Sequence, residues 1–210
     1  MRKTALAAGA AAIVGTAFYA FLVEPRWLQV RRTRIHIPRL PAPLEGLRIG
    51  VLTDLHVDGR RSMRLVERAV RELMRHEPDL IALTGDFAER PPAQRQVLAR
   101  LAGLSAPLGV YAVPGNHDYA AGIRSWRDAV DTHPRITNLT NRYALRERGG
   151  VRVCIAGVDD LEEGTPRLVL PPAAERSLTI LLAHSPDQAE RCRRRYDAVD
   201  LIVSGHTHGG

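Results

Sequence analysis

Five groups of Asp, His and Asn residues follow five apolar stretches of this 210-residue sequence. In chain order the groups are Asp54-Leu55-His56, Gly85-Asp86, Gly115-Asn116-His117-Asp118, His184 and Gly205-His206-Thr207-His208. Each apolar stretch has the length and composition of a buried β-strand. Because ligands bind beyond the carboxyl ends of the strands in an open parallel sheet, the five groups are expected to meet in one crevice.

The residue types in these groups are those that hold divalent metal ions. Carboxylate oxygens, an amide oxygen and neutral imidazole nitrogens suit Mn²⁺, Fe²⁺ or Zn²⁺, and the groups contain no thiolate, which argues against a structural zinc site. Asp54 and His56 are two residues apart, as are His206 and His208. A bend of the chain after each strand can therefore direct both side chains of a pair towards bound ions.

Short apolar runs alternate with amphipathic segments, and this alternation predicts the elements that carry the five groups. Strands are predicted over Leu47–Thr53, Leu80–Thr84, Val110–Val113, Leu178–Ala183 and Leu201–Ser204, and helices over Met63–Arg75, Gln94–Leu104, Ile123–Val130 and Pro186–Arg194. Gly149-Gly150, between two strand-like runs, predicts a β-hairpin from Tyr143 to Ala156. Strand–helix–strand units of about thirty residues imply an α/β fold with parallel strands and crossover helices.

The ordered set of five groups resembles the motif set of the calcineurin-like metallophosphoesterases, over the chain from Leu47 to its last residue. The resemblance implies a β-sheet sandwich flanked by helices and two divalent metal ions as cofactors. It assigns Asp54, His56 and His208 to one ion, assigns Asn116, His184 and His206 to the other, and makes Asp86 the bridge between them. His117 is expected to contact the phosphate and assist the leaving group as a catalytic residue, and Asp118 to orient it.

The resemblance also implies a reaction. The chain is expected to be a binuclear metal-dependent phosphodiesterase or pyrophosphatase that acts by in-line attack of a metal-bridging hydroxide on a lipid-linked or nucleotide-type phosphoester. An N-terminal apolar stretch followed by such a domain, together with Gly157-Val158-Asp159-Asp160, is similar to a bacterial membrane-associated branch. Some members of that branch cleave UDP-2,3-diacylglucosamine in lipid A biosynthesis. A secreted broad-specificity phosphatase and a non-catalytic metal-binding scaffold are the alternatives.

Two neighbouring families differ from this chain close to the second motif. Purple acid phosphatases have a Tyr three residues after the bridging Asp, where this chain has Glu89, so a tyrosinate–iron centre is not expected. Protein serine/threonine phosphatases have Asp-Arg-Gly there, in place of Glu89-Arg90-Pro91. Glu89 itself is interpreted as a solvated loop residue, as is Asp58. The Asp159-Asp160 pair is equally compatible with a substrate contact and with a strand end.

The N-terminus predicts a membrane anchor. Residues Thr4 to Val23 are uncharged and apolar, and a helix of that length would cross a hydrocarbon core. We therefore expect an anchor over residues 1–24, a linker rich in Pro and Arg over 25–46, and the catalytic domain over 47–210. The Arg residues of the linker favour a cytoplasmic catalytic domain, and a cleaved signal peptide is the rival interpretation. Because relatives in this family usually continue beyond the last motif, the domain is expected to be incomplete at its C-terminus.

Composition excludes several classes of protein. An apolar fraction of 45% and a charged fraction of 25% are those of a globular domain. The net charge of +7 would suit a nucleic-acid partner. However, the Arg clusters lack interleaved aromatic residues, so none is expected. Cys154 and Cys192 do not suggest a disulfide framework. The oligomeric state is not predicted.

Overall fold

The computed structural model describes residues 13–23, 27–188 and 198–208. The chain divides into two compact units, Met1–Arg34 and Ile35–Gly210. All the residues proposed above for the site belong to the second unit, which contains every β-strand of the described chain.

The predicted membrane anchor is contradicted. Within the first unit, residues 13–18 are α-helical and Tyr19–Val23 form a π-helical turn. Across the described parts of the chain, no helix combines the length and apolar character that crossing a membrane requires. The predicted location at a membrane, with the catalytic domain on the cytoplasmic face, is contradicted by this finding. Residues 1–12 and 24 of the predicted anchor lie outside the described residues.

Four parallel strands form the first sheet, in the order β1-β2-β3-β4. They are β1 (Ile49–Leu52), β2 (Leu80–Leu83), β3 (Val110–Ala112) and β4 (Ile136–Asn138). All four residues of β2 are buried, as expected for a strand covered on both faces. Strand β4 was not predicted, because Ile136-Thr137-Asn138 has a single apolar residue and no apolar run.

Four helices follow the strands of the first sheet: α1 (Arg60–Met74), α2 (Pro91–Arg100), α3 (Asn116–Ala120) and α4 (Ile123–Asp131). Short 3-10 turns occur at Ala42–Leu44, Leu101–Gly103 and Ala173–Glu175. Helix α1 runs back from the carboxyl end of β1 to the amino end of β2, which is the connection that parallel strands require. Pro91 and Pro92 begin α2, where a missing N–H costs nothing.

The second sheet has the order β5-β6-β7-β8. Its strands are β5 (Arg142–Arg148), β6 (Val151–Gly157), β7 (Leu178–Leu182) and β8 (Leu201–Val203). Strands β5 and β6 form the antiparallel hairpin that Gly149-Gly150 predicted, and both glycines have positive φ, at 56° and 78°. Strands β6, β7 and β8 are parallel. Residues 187–188 are helical, and the rest of the helix predicted to end at Arg194 lies outside the described residues.

The two sheets pack face to face. Ala82 and Tyr111 of the first sheet share one buried cluster with Ile155 and Ile180 of the second. The opposite face of the first sheet packs against α1, α2 and α4 in a second cluster that includes Ile81 and Trp126. Alternate residues of each strand thus enter different cores, as the pleat requires. The α/β sandwich implied by the family resemblance is confirmed.

The sandwich changes one expectation about the site. The first three motifs follow β1, β2 and β3 of one sheet, whereas His184 and Gly205 to His208 follow β7 and β8 of the other. The crevice therefore lies at the shared edge of two packed sheets and not along one open sheet.

Candidate metal centre

The segments after β1 and β2 remain paired beyond the ends of the strands. The Asp54 N–H donates to the Gly85 carbonyl at 3.1 Å, and the His56 N–H donates to the Asp86 carbonyl at 3.0 Å. Val57 and Ala88 then form an isolated parallel bridge. The first two motifs are therefore held side by side by backbone hydrogen bonds, so that the relative position of their side chains does not depend on bound ligands.

Left-handed backbone directs the side chains of this paired segment. Positive φ angles occur at Asp54 (50°), His56 (40°) and Asp86 (57°), and also at His206 (70°) and His208 (53°). Such angles are uncommon outside glycine and cost of order 1 kcal/mol each. These five residues are all ligands predicted from the sequence. Their positive φ angles bend the chain at the strand ends and direct the ligand-type side chains into the crevice.

Asp118 holds the second and third motifs together. Its carboxylate is fully buried and accepts hydrogen bonds from the N–H groups of Asp86 (2.8 Å), Phe87 (3.0 Å) and Gly115 (3.0 Å). Burial raises the pKa of Asp118 to about 7, although these three donors favour the ionised form. The sequence suggested instead that Asp118 orients His117. Among the described residues, no hydrogen bond joins its carboxylate to the His117 ring.

Asp86 lies at the centre of the crevice. One oxygen, Oδ1, accepts a 2.9 Å hydrogen bond from the His117 backbone N–H. The other oxygen, Oδ2, lies 3.5 Å from His56 Nε2 and 3.3 Å from His184 Nε2. The hydrogen bonds to histidine lower the pKa of this carboxyl, although burial raises it. Asp86 therefore has one fixed oxygen and one oxygen that faces two imidazoles from different sheets.

The second sheet supplies the remaining side chains. The His206 N–H donates to both carboxylate oxygens of Asp54 at 3.0 Å, and the Gly205 N–H donates to the His184 carbonyl at 2.9 Å. A Cβ at Gly205 would collide with the Thr53 hydroxyl, so only glycine allows this close approach of the two sheets. The last two motifs are thus joined to the first one across the sandwich.

All seven side chains predicted as metal ligands meet in this crevice. Ligand atoms of Asp54, His56 and His208 lie within 4.8 Å of one another, and so do those of Asp54, Asp86 and His184. Asn116 Oδ1 is 3.0 Å and His206 Nδ1 is 3.2 Å from His184 Nε2. These seven side chains form a candidate cation site, called the cage below.

Two imidazoles are arranged in a way that suits metal ions better than protein partners. His56 Nε2 is buried and has no hydrogen-bond partner in the described chain, and it lies between the carboxylates of Asp54 and Asp86. His184 Nδ1 lies 2.7 Å from the Thr84 carbonyl, to which it donates, so in the neutral ring the lone pair of Nε2 would face the oxygens of Asn116 and Asp86. A cation between these atoms would relieve the repulsion. Without one, Asp86 raises the pKa of His184 to about 9, despite the opposing effect of burial.

Glu89 is the residue that the sequence analysis misjudged. Its side chain is 36% exposed, as a loop residue would be, but Oε1 lies 2.5 Å from His56 Nδ1 and Oε2 lies 3.0 Å from His117 Nδ1. These contacts lower the pKa of Glu89, although burial raises it. The interpretation as a merely solvated residue was wrong. The sequence feature that could have identified Glu89 as a site residue is its position three residues after Asp86.

The other residues weighed from the sequence lie outside the cage. Asp58 accepts a hydrogen bond from the Ser62 hydroxyl at the start of α1. Asp159 and Asp160 are buried at the end of β6, where Asp159 accepts a 2.6 Å hydrogen bond from the Tyr119 hydroxyl. Cys154 is a free, buried thiol, and Cys192 lies outside the described residues.

Comparisons with known proteins agree with this geometry. The sequence profile of the family described as "Calcineurin-like phosphoesterase" matches residues 47–210. An uncharacterized metallophosphoesterase of Bacillus subtilis, YkuE, is 31% identical over 98% of this chain and 73% of its own length. A zebrafish (Danio rerio) protein described as a transmembrane protein with metallophosphoesterase domain is 31% identical over the whole of this chain. The chain spans 50% of that protein, and about half of several other relatives.

Solved structures show the same fold. The Thermus thermophilus protein TT1561 superposes with a TM-score of 0.52, at 19% sequence identity over 75% of this chain and 81% of its own. At such low identity the likeness concerns the fold alone. The profile match and the Bacillus relative carry the assignment of the family, in agreement with the clustered ligand-type side chains. The chain belongs to the calcineurin-like phosphoesterase family and is a metal-dependent phosphoester hydrolase.

Proposed function

We propose that the crevice holds two divalent cations and that the chain hydrolyses phosphodiesters or pyrophosphates of the nucleotide type. In this proposal Asp54, His56 and His208 bind one ion, Asn116, His184 and His206 bind the other, and Asp86 binds both. The observation that carries it is the position of Asp86 Oδ2, 3.5 Å from His56 Nε2 and 3.3 Å from His184 Nε2. Mn²⁺, Fe²⁺ and Zn²⁺ suit this set of oxygen and nitrogen ligands.

The ions, when bound, would lower the pKa of a coordinated water and neutralise charge on the phosphate oxygens. The protein contributes the remaining steps. His117, whose side chain is 40% exposed at the crevice, donates a hydrogen bond or a proton to the phosphate or its leaving group. Glu89 accepts from the His117 ring and keeps it protonated, since the pKa of His117 is raised by this contact despite partial burial. Asp118 acts through the backbone and does not touch substrate.

The proposed catalytic domain spans residues 47–210, preceded by a linker over residues 25–46. A lipid-linked pyrophosphate such as UDP-2,3-diacylglucosamine contains the same kind of bond, so it is a second substrate to assay. A crevice lined with imidazoles and bound cations would supply the anion contacts that the phosphates of either substrate need.

The test compares a diester with a monoester. Hydrolysis of bis(p-nitrophenyl) phosphate and of p-nitrophenyl phosphate is measured with and without Mn²⁺, for the wild type and for Asp86→Asn. The amide of this variant retains an oxygen that can accept from the His117 N–H. The substitution removes the negative charge that both ions would share. We expect strict Mn²⁺ dependence, preference for the diester, and a loss of at least about a thousandfold in kcat for the variant.

Asp128→Asn is the matched control, because Asp128 is an exposed carboxylate on α4 that has no contact with the seven ligand side chains. Metal content is measured on all three proteins. An Asp86→Asn protein that retains two equivalents of Mn²⁺ and full turnover would refute the assignment. Wild-type protein that binds metal without hydrolysing any phosphoester would favour the non-catalytic scaffold.

A further inference from the structure

A side-chain cluster outside the cage lies at the edge of the crevice. It consists of Tyr119 on α3, Arg127 on α4 and Asp159 after β6. The Tyr119 hydroxyl donates a 2.6 Å hydrogen bond to Asp159 Oδ1, and Arg127 Nη2 lies 3.4 Å from the Tyr119 oxygen and 4.0 Å from Asp159 Oδ2. None of these three residues has a part in the hydrolysis described above.

The chain places this cluster next to the proposed second ion. Tyr119 is three residues after Asn116 in the same helical turn, and residues with this spacing lie on one face of a helix. On the other side, the Val158 N–H donates to the Leu182 carbonyl, so the segment after β6 runs beside the segment after β7. Asp159 therefore leaves its strand about one strand spacing from His184. The cluster is thus attached to the two segments that carry Asn116 and His184.

Arg127 is held in position, but its hydrogen-bonding capacity is largely unused. A closed Arg–carboxylate pair has N–O distances of about 2.7–2.9 Å, whereas Arg127 lies 4.0 Å from Asp159. Asp159 has other partners: Oδ1 accepts from the Tyr119 hydroxyl and the Asp160 N–H, and Oδ2 accepts from the Thr165 N–H. Within the described chain, Arg127 has only the long contacts to Tyr119 and Asp159, and 43% of its side chain is exposed.

The connection that carries Asp159 is held in place by side-chain hydrogen bonds. It runs from Val158 to Ser177, and connections of this length in compact domains are commonly functional. Asn141 joins its start to its middle: the side-chain oxygen of Asn141 accepts from the N–H groups of Asp159 and Arg167. A Cβ at Gly164 would come within 2.6 Å of the Asp159 carboxyl carbon, so glycine is required there.

We propose that Arg127 binds a second phosphate of the substrate, adjacent to the phosphorus that is attacked, and that the substrate class is therefore a diphosphate ester. Five guanidinium donors in a planar fork match the oxygens of a phosphate, and the two long contacts leave most of these donors for a ligand. The proposal rests on the proposed function, because it takes the crevice to be the site of phosphoester hydrolysis.

The test measures binding, so that it does not depend on turnover. The Mn²⁺-loaded full chain is titrated calorimetrically with AMP and with the methylene-bridged analogue of ADP, which cannot be hydrolysed at the bridge. For Arg127→Gln we expect the preference of the wild type for the diphosphate analogue to fall by about ten- to a hundredfold, the usual range for a charged hydrogen bond. AMP affinity should change by less than about threefold.

Two further variants make the result specific to the cluster. Tyr119→Phe removes the hydroxyl that occupies Asp159, so that Arg127 can close onto the carboxylate, and the preference should fall although Arg127 is intact. Arg71→Gln is the control, because Arg71 is exposed in the last turn of α1, at the opposite end of the sheet. It should retain the full preference.

The outcomes separate the two proposals. A preference that survives in Arg127→Gln, or that falls equally in Arg71→Gln, overturns the phosphate subsite. A wild type without preference for the second phosphate overturns it as well. Binding of the analogue that depends on Arg127, in a protein that hydrolyses no phosphoester, supports the subsite and refutes the proposed function instead.

Discussion

Replacement of Glu89 by Gln tests the coupling between the metal cage and the proton donor. One carboxylate contacts two imidazoles: Oε1 lies 2.5 Å from His56 Nδ1 and Oε2 lies 3.0 Å from His117 Nδ1. His56 is a proposed metal ligand and His117 is the proposed donor to the leaving group. Gln has nearly the same shape, but its single amide oxygen can accept from only one ring, and its NH₂ group faces the other. The variant therefore removes the charge and one acceptor without opening a cavity.

The expected magnitude follows from the exposure of the carboxylate. A hydrogen bond to a charged group contributes about 1.5–3 kcal/mol, and solvent weakens it at a side chain that is 36% exposed. About 1 kcal/mol for each contact corresponds to about fivefold at 25 °C. We expect Mn²⁺ affinity to fall about fivefold through His56 and kcat to fall about fivefold through His117. The product lies within the 10–100-fold range known for carboxylates that support metal-binding histidines.

The pH profile distinguishes the two effects. Glu89 raises the pKa of His117 against the opposing effect of burial, so the variant should lower this pKa. Because the donor must be protonated, kcat declines as the pH rises through that pKa, and this decline should begin at lower pH in the variant. The assay is hydrolysis of bis(p-nitrophenyl) phosphate at saturating Mn²⁺ from pH 5.5 to 9.5, with a separate Mn²⁺ titration at pH 7.

Glu147→Gln provides the matched control. Glu147 is an exposed carboxylate of β5, opposite Arg152 at the hairpin end of the sheet, away from the crevice. It should leave both constants unchanged. Glu89→Gln with Mn²⁺ affinity and kcat within twofold of the wild type would refute the reasoning. A loss of kcat without movement of the alkaline limb would refute the role assigned to His117 alone.

Three further predictions concern stability, packing and reactivity. Asp118→Ala leaves three buried N–H groups without an acceptor and should lower the free energy of unfolding in urea by roughly 3–6 kcal/mol. A loss below about 1 kcal/mol would show that these three hydrogen bonds do not hold the second and third motifs together. Gly115→Ala places a Cβ 2.7 Å from His184 Nδ1 and should weaken Mn²⁺ binding at least about tenfold by calorimetry. In a Cys192→Ser background, Cys154 should resist Ellman's reagent at pH 8 until denaturant is added. Burial raises its pKa to about 11, so only about one thiol in a thousand is ionised there, a fraction that rises tenfold per pH unit.

The strands that carry the motifs could be predicted from the sequence because their burial is visible in it. Leu80–Leu83 is a continuous apolar run and lies within the predicted Leu80–Thr84. The start of α1 was placed at Met63, three residues late, because its first turn is polar and has no apolar period. That turn is instead stabilised by the Ser62 hydroxyl, which accepts from the N–H groups of Asp58 and Gly59. Strand β4 was missed because Ile136-Thr137-Asn138 has one apolar residue and no apolar run, and helix α3 because five residues are too few to establish a helical period.

The same distinction applies to the site. Some of its chemistry can be predicted from residue types, and the rest depends on contacts between residues that are distant in the chain. Which atoms can bind a cation follows from Asp, His and Asn at strand ends, whatever the fold. Glu89 and Asp118 matter for a different reason, since their carboxylates meet groups about thirty residues away in the chain. The left-handed backbone at Asp54 and Asp86 also depends on contacts with residues distant in the chain. Its cost of order 1 kcal/mol per residue is offset because paired strands fix the N–H of Asp54 and the buried carboxylate of Asp118 fixes that of Asp86. A substitution at Asp118 should therefore disturb metal binding without removing any ligand atom.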